Sequence, residues 1–290
     1  MLVLSQLING IQIGSIYALV ALGYTMVYGI IQLLNFAHGD IIMVGAYAAW
    51  YTISRLGLPP AAAVIFAILF CSILGMVIEK IAYKPLRSSP RISLLITAIG
   101  ISYLLENLVQ LIFSPNPRMF QNLFPGQLDF AGLHISNATV VTIVVSVIMM
   151  VLLTMLVNKT KAGKAMRAVS EDTEAARLMG INVNNTISFT FAIGSGLAAV
   201  ASVLYCCSYS QIDPMMGSML GLKAFVAAVL GGIGSIPGAV LGGFLIGIAE
   251  SFTKAYISSA LADAVVFGIL IIVLLFKPTG VLGRKINEKV

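Results

Sequence analysis

The residues that could do chemistry are the few polar and ionisable side chains inside long apolar segments. Asn35, His38 and Asp40 fall together in the stretch LLNFAHGD, where polar residues interrupt an apolar run. Such groups are costly in a membrane interior, so they indicate a transport pathway, a helix cap or an ion pair. For His38 and Asp40 a half-helix cap and a pathway role stay open. The others are Glu106, Asn107, Lys223, Asp263, and Glu250 with Lys254, whose i, i+4 spacing predicts an ion pair.

These residues do not form the constellation of an enzyme. The two histidines, His38 and His134, belong to no HExxH motif, and the sequence has no P-loop with which to bind ATP. The stretch GSGLAA at 194–199 matches a loose dinucleotide fingerprint, but it lies in a continuous apolar run, which indicates helix packing. The sequence therefore predicts no catalytic residue, no metal site and no cofactor.

The composition predicts a membrane protein. Hydrophobic residues make up 59% of the 290-residue chain and charged residues 10%, with a mean hydropathy of +1.00. Soluble domains carry about 25% charged residues, so most of this surface must face lipid or other apolar chains. Cys71, Cys206 and Cys207 lie in apolar runs and are expected to be buried small hydrophobes. No basic region precedes the first apolar run, which is expected to be a permanent span.

Nine apolar segments predict an all-α, polytopic helical bundle with about 8–10 transmembrane helices. They lie at about 5–30, 36–54, 60–79, 92–113, 138–157, 185–209, 219–231, 236–252 and 257–276. The segments 219–231 and 236–252 are short for a full span and are joined by GGIGSIPG at 231–238. With LLNFAHGD at 33–40, this gives two interrupted, half-helix regions, as in internally repeated transporters with a central pathway. Close packing of glycines is the alternative explanation.

The basic residues predict the orientation of the bundle. Positive loops stay in the cytoplasm, and three basic groups can share one side. A single transmembrane domain over 1–290 would then have a cytoplasmic loop at about 158–184 and an external loop at about 114–137. The segment 219–252 would enter and leave the membrane from outside. The three groups are Lys80, Lys84, Arg87 and Arg91; Lys159, Lys161, Lys164, Arg167 and Arg177; and Lys277, Arg284, Lys285 and Lys289.

The loop at 158–185 carries eight of the chain's charged residues and predicts a short cytoplasmic helix at about 171–179. Ser170 is a suitable N-cap, and Glu171 and Asp172 suit the positive end of a helix dipole. Gly180 is placed to end the helix. The exposed face is expected to be small and apolar, which favours docking of a soluble partner over a solvated helix without one. That face comprises Ala175, Ala176, Leu178 and Met179.

Several motifs resemble one family of permeases. EAARLMGI at 174–181 resembles the coupling loop of ABC importer permeases. LNFAHGD at 34–40 followed by MVGAY at 43–47, and KAFVAAVLGGIGSIPGA at 223–239, resemble the branched-chain amino-acid permeases of such importers. AYKPLR at 82–87 and PTGVLGR at 278–284 fit the same family. The resemblance extends over nearly the whole chain.

The resemblance implies a non-catalytic permease subunit in the inner membrane of a bacterium, with partners that supply substrate and energy. The expected partners are a second, related permease, two cytoplasmic ABC ATPases, a periplasmic or lipid-anchored substrate-binding protein and the lipid bilayer, with no nucleic acid. Ser170, Glu174, Ala175, Ala176, Leu178, Met179 and Gly180 are expected to couple the ATPases to the bundle. Asn35, His38, Gly39, Asp40, Lys223, Gly231, Gly232, Gly234 and Pro237 are expected to shape the translocation pathway.

Two other functions stay open on the sequence. Permeases for urea or short amides look similar at the first motif. An ion-coupled carrier or a channel that works alone belongs to another class, although two histidines and scattered carboxylates make a sparse proton relay.

Overall fold

The computed structural model describes residues 2–31, 35–87, 89–130 and 133–283, and within them the chain is almost entirely helical. Leu33 and Leu34 of the first interruption, and Arg284, Lys285 and Lys289 of the basic tail, lie outside the described residues. The α-helices are α1 Leu2–Ile31, α2 His38–Ser54, α3 Pro60–Ile78, α4 Arg91–Phe113, α5 Asn137–Lys159, α6 Lys161–Glu171, α7 Thr173–Leu178, α8 Val183–Tyr209, α9 Met216–Gly231, α10 Ile236–Tyr256 and α11 Ala262–Phe276.

Within the described residues, seven helical segments are long and apolar enough to cross a membrane, as expected for a multi-pass helical protein. They are Leu2–Ile31, Pro60–Leu86, Ile92–Phe113, Asn137–Lys159, Val183–Tyr209, Ile236–Tyr256 and Ser259–Phe276. Two further helices, α2 with 17 residues and α9 with 16, are shorter than a full span. The all-α, polytopic fold is confirmed. The segment 236–252, predicted to be short, extends to Tyr256, so α10 has 21 residues and only α9 of that pair is short.

The helices pack in two halves with matching contacts. The series α1 to α4 and the series α8 to α11 each contain a long helix, a short helix and two more helices. The first helix of each half packs on the third helix of the other half, α1 on α10 and α8 on α3. The two first helices also touch each other, as do the short helices α2 and α9. The core therefore consists of four central helices, α1, α2, α8 and α9.

Glycines let these helices approach closely. A Cβ added to Gly14 of α1 would lie 2.8 Å from the Cα of Phe244, and one on Gly247 would lie 2.3 Å from the nitrogen of Gly14. The Gly194–Ala199 stretch lies within α8, where a Cβ on Gly196 would meet the Ser72 hydroxyl at 3.0 Å. This stretch is a packing surface, as expected.

The part of the chain that the structure describes has four short strands at one end of the bundle, here called the hairpin end. β1 Arg118–Met119 pairs antiparallel with β4 Gln211–Ile212, and β2 Gln127–Phe130 pairs antiparallel with β3 Leu133–Ser136. Three of these strands occupy the loop expected to be external. The helices α6 and α7 connect α5 to α8 at the opposite end, here called the coupling end, because α5 runs away from the strands and α8 runs back to them.

Candidate functional site

The charged loop at the coupling end forms two helices rather than one. The side chain of Thr160 caps α6 by accepting from the Gly163 nitrogen at 3.0 Å. α7 begins at Thr173, and Asp172 caps it by accepting from the nitrogens of Glu174 and Ala175 at 2.9 and 3.0 Å. The prediction that Ser170 is the N-cap of this helix is therefore wrong. Ser170 lies in the last turn of α6, where its hydroxyl donates to the Arg167 carbonyl, and the extended backbone that an N-cap needs occurs at Asp172 instead.

Gly180 ends α7, as the sequence predicted. Its φ is +80°, and its nitrogen donates to the Arg177 carbonyl at 3.0 Å. The next nitrogen, of Ile181, donates to the Ala176 carbonyl at 3.0 Å. This pair of bonds is a Schellman motif, which satisfies the last carbonyls of a helix and requires a left-handed residue.

The exposed apolar surface of α7 lies at its end. Leu178 is 89% exposed and Met179 is 82% exposed, although both are large hydrophobic residues. Ala175 and Glu174 are exposed too, but Ala176 is buried and faces the protein, unlike the expected exposed face. A groove of about 540 Å³ lies between α6 and α7. Four alanines, Met179 and Ile181 form its apolar walls, and Lys161, Lys164, Glu171 and Asp172 also line it.

A hydrogen-bonded network connects the coupling end to the start of α2. Arg87 donates to Asn184 in the first turn of α8 at 2.8 Å and forms an ion pair with the buried Glu79. Glu79 also accepts from the Ser188 hydroxyl at 2.5 Å. The Tyr83 hydroxyl, one turn after Glu79, donates to the Asn35 side chain at 2.8 Å.

The sequence analysis used Arg87 only as a marker of orientation and did not single out Glu79, Tyr83 or Ser188. A carboxylate at the end of an apolar segment, eight residues before an arginine, was the signal available. Of the pathway candidates, Asn35 alone belongs to this network.

The short helices α2 and α9 begin side by side in the core. A Cβ on Gly39 would lie 2.5 Å from the Gly217 carbonyl oxygen, and one on Gly221 would lie 2.8 Å from the Gly39 Cα. His38 is buried with its ring 4.7 Å from the ring of Tyr24. Gly217 and Gly221 were not predicted as site residues, because a glycine in an apolar run does not show which other helix it will contact.

Two carboxylates lie beside the point where the starts of α2 and α9 meet, here called the crossing. The buried Asp40 faces Ser102 and Glu106 of α4. Glu106 in turn accepts from the Ser218 hydroxyl in the first turn of α9. The crossing is therefore a polar centre within an apolar bundle.

The second predicted cluster lies at the other end of α9. Gly232 and Gly234 have φ of +105° and +90°, and the Ser235 side chain caps α10, with Pro237 in its first turn. The tail covers this turn, since the nitrogens of Val281 and Leu282 donate to the carbonyls of Leu230 and Gly231 at 2.8 and 2.9 Å. With 1.5 Å per residue, the 16 residues of α9 separate this turn from the Gly39 contact by about 20 Å. The two expected pathway clusters therefore do not form one site.

Lys223 belongs to a third cluster, an ion network between α9, α10 and α11. Its Nζ lies 2.8 Å from Glu250 and 2.7 Å from Asp263. Glu250 also pairs with Lys254 at 2.6 Å, the predicted i, i+4 pair, and accepts from the Tyr17 hydroxyl at 2.5 Å. Within the described part of the chain, no three His, Cys, Asp or Glu residues lie close enough to hold a metal ion.

Known proteins resemble this chain over nearly its full length. Residues 6–275 match the family described as branched-chain amino acid transport system / permease component. The high-affinity branched-chain amino acid transport system permease protein BraD of Pseudomonas aeruginosa is 46% identical, with 99% of this chain and 98% of the relative covered. The corresponding permease protein LivH of Escherichia coli K12 is 45% identical, covering 99% and 97%.

A similar fold occurs in a solved structure. It is PsaBC from Streptococcus pneumoniae in complex with Fab, with a TM-score of 0.52, 15% identity and coverage of 93% of this chain and 91% of that chain. At this identity the similarity concerns the fold alone.

Proposed function

The chain belongs to the family of permease components of branched-chain amino-acid transport systems, and from that premise we propose that it forms part of the translocation pathway of an ABC importer for leucine, isoleucine and valine. Its relatives at 45–46% identity are named as high-affinity permeases for this substrate class. We place the protein in the inner membrane of a bacterium, as a single transmembrane domain over 1–290.

The energy comes from separate ATPase subunits that dock at the coupling end. The exposed Leu178 and Met179 beside the groove between α6 and α7 are the observation that carries this proposal. Large apolar side chains exposed together on a charged loop mark an interaction site. The alanine walls let a partner helix or side chain approach closely, while Lys161, Lys164 and Glu171 give its rim both signs of charge.

Movement of α7 reaches the core through the network of Arg87, Glu79, Tyr83 and Asn35. Arg87 contacts the first turn of α8, three to four residues after α7's terminating Gly180. The bond from Tyr83 to Asn35 extends the network to the segment that leads into α2. A shift of α7 would therefore be transmitted to the crossing of α2 and α9, where Asp40 and Glu106 lie.

The other partners complete the importer. A second, related permease shares the pathway, and a periplasmic or lipid-anchored binding protein delivers substrate at the hairpin end. Within this chain, His38, Gly39 and Asp40 border the pathway at the crossing. The Gly231–Gly238 turn, with Gly232, Gly234 and Pro237, closes it toward the coupling end, and Lys223 holds α9 against α10 and α11.

Uptake of radiolabelled leucine into proteoliposomes tests this proposal. The complete transporter should take up leucine only with ATP and the binding protein. Uptake by this chain without ATPase subunits would support a carrier or channel instead, and uptake of urea rather than leucine would support the short-amide alternative.

The variant Gly180→Arg tests docking at the coupling end specifically, and Gly57→Arg is its matched control. Both glycines have positive φ, of +80° and +63°, and neither has an atom within 4 Å of an added Cβ. The backbone strain of the two substitutions is therefore comparable, but Gly57 lies in the loop between α2 and α3 at the hairpin end. Gly180→Arg should insert normally and lose ATP-driven uptake, whereas Gly57→Arg should retain it. Equal uptake by both variants would contradict the docking assignment.

A further inference from the structure

A second cavity lies at the hairpin end, between α1, α8 and α10. It has a volume of about 280 Å³. Small-ligand sites occupy roughly 300–1,000 Å³, so this cavity suits a ligand of few heavy atoms. Its polar lining is unusual for the ends of apolar helices and comprises Gln6, Asn9, Gln12, Ser208, Ser251 and Lys254.

Four of the six polar residues of the cavity are paired by hydrogen bonds, Gln12 with Ser208 and Gln6 with Ser251. Gln12 donates to the Ser208 hydroxyl at 2.7 Å and accepts from Thr139 at 2.8 Å. The Ser251 hydroxyl bonds the Gln6 carbonyl and side chain at 2.9 and 3.0 Å. Gln6, Asn9 and Ile13 lie on one face of α1, three to four residues apart. The cavity therefore presents ordered donors and acceptors at fixed positions.

Lys254 supplies the charge of the cavity. It is 36% exposed, and its carboxylate partner, Glu250, is shared with Lys223 and Tyr17. An ammonium group has three N–H donors, and Lys254 shares Glu250 with Lys223, which itself also pairs with Asp263. Lys254 can therefore accept a further anionic partner from the cavity side. Ile13 and Ile16 line the same cavity and offer an apolar wall.

We propose that this cavity is a low-affinity site for a small aliphatic amino acid, with the carboxylate on Lys254 and the hydrocarbon side chain against Ile13 and Ile16. The proposal rests on the proposed function and adds a site at which substrate is held after its release at the hairpin end. The amides of Gln6 and Asn9 provide hydrogen-bond partners for the amino group.

A photoactivatable leucine analogue, with a diazirine in its side chain, tests the site in the purified complete transporter. After irradiation, peptide mapping should find label within residues 6–16, 208–209 or 251–254. Leucine and 4-methylpentanoate, which keep the carboxylate, should compete with the label, whereas isopentylamine, which lacks it, should not. Label outside these segments only, or equal competition by isopentylamine, would overturn the proposal.

Two variants separate the site from general damage to the fold. Lys254→Gln should lower labelling about tenfold or more, because it removes a charged hydrogen bond, while Glu250 keeps Lys223 and Tyr17. Asn9→Trp fills the cavity without removing a residue of the ion network and should also lower labelling. The exposed Lys159→Gln at the coupling end is the matched control. Wild-type labelling of Lys254→Gln would exclude the site even if the intact transporter imports leucine, whereas absence of leucine import by the intact transporter would contradict the proposed function itself.

Discussion

Gly39 and Gly217 lie back to back where α2 and α9 begin. A Cβ on Gly39 would lie 2.5 Å from the Gly217 carbonyl oxygen, and a Cβ on Gly217 would lie 2.4 Å from the Gly39 carbonyl oxygen. Because backbone stands on both sides, neither contact can be relieved by rotating a side chain. This contact joins the two short helices, one from each half of the fold, beside Asp40 and Glu106.

Gly217→Ala should therefore destabilise the protein. Overpacking of this kind typically costs about 1–3 kcal/mol, and more where only backbone can move. The midpoint of thermal unfolding in detergent measures the effect. Gly268→Ala in α11 is the control, since an added Cβ there meets no atom within 4 Å. If both variants melt at the wild-type temperature, the close contact between α2 and α9 does not exist.

Arg87→Met should be strongly destabilising, because it leaves the fully buried Glu79 without its cationic partner. Removing one partner of a buried ion pair typically lowers the free energy of unfolding by about 3–5 kcal/mol. Because Arg87 is 22% exposed and partly solvated, we expect a loss near the lower end of this range. The double variant Glu79→Gln/Arg87→Met should recover much of the lost stability, because the uncompensated charge is gone. Thermal unfolding of the wild type, both single variants and the double variant forms a double-mutant cycle that measures the coupling between Glu79 and Arg87. Equal stability of Arg87→Met and the double variant would show that Glu79 is not held by Arg87.

Tyr83→Phe tests the transmission route separately from stability. It leaves the buried Asn35 amide oxygen without this donor, which should cost about 1–3 kcal/mol. If the route carries movement, the variant should hydrolyse more ATP per imported leucine than the wild type. Tyr103→Phe, at a tyrosine that is 62% exposed, is the control and should leave the ratio unchanged. An unchanged ratio in Tyr83→Phe would remove Tyr83 and Asn35 from the route.

The sequence was sufficient to predict the apolar helices, because long apolar runs and their breaks are local signals, but it did not predict α6 in the charged loop. The end of α7 at Gly180 was predicted for the same reason, since a left-handed stop needs glycine. The start was misplaced at Ser170, because serine and aspartate both cap helices and only the fold decides which one has extended backbone. Gly217 and Glu79 were missed, because their roles depend on partners far away in the chain.

Cross-linking from Met179 tests the central claim most directly. The native cysteines Cys71, Cys206 and Cys207 are buried, so a cysteine introduced by Met179→Cys can be labelled selectively with a benzophenone maleimide. In the complete transporter, irradiation should link Met179→Cys to the ATPase subunit. Leu128→Cys, on the exposed β2 strand at the hairpin end, should give no such product. Cross-linking of the ATPase from Leu128→Cys, or its absence from Met179→Cys in a transporter that retains ATP-driven uptake, would contradict docking on α7.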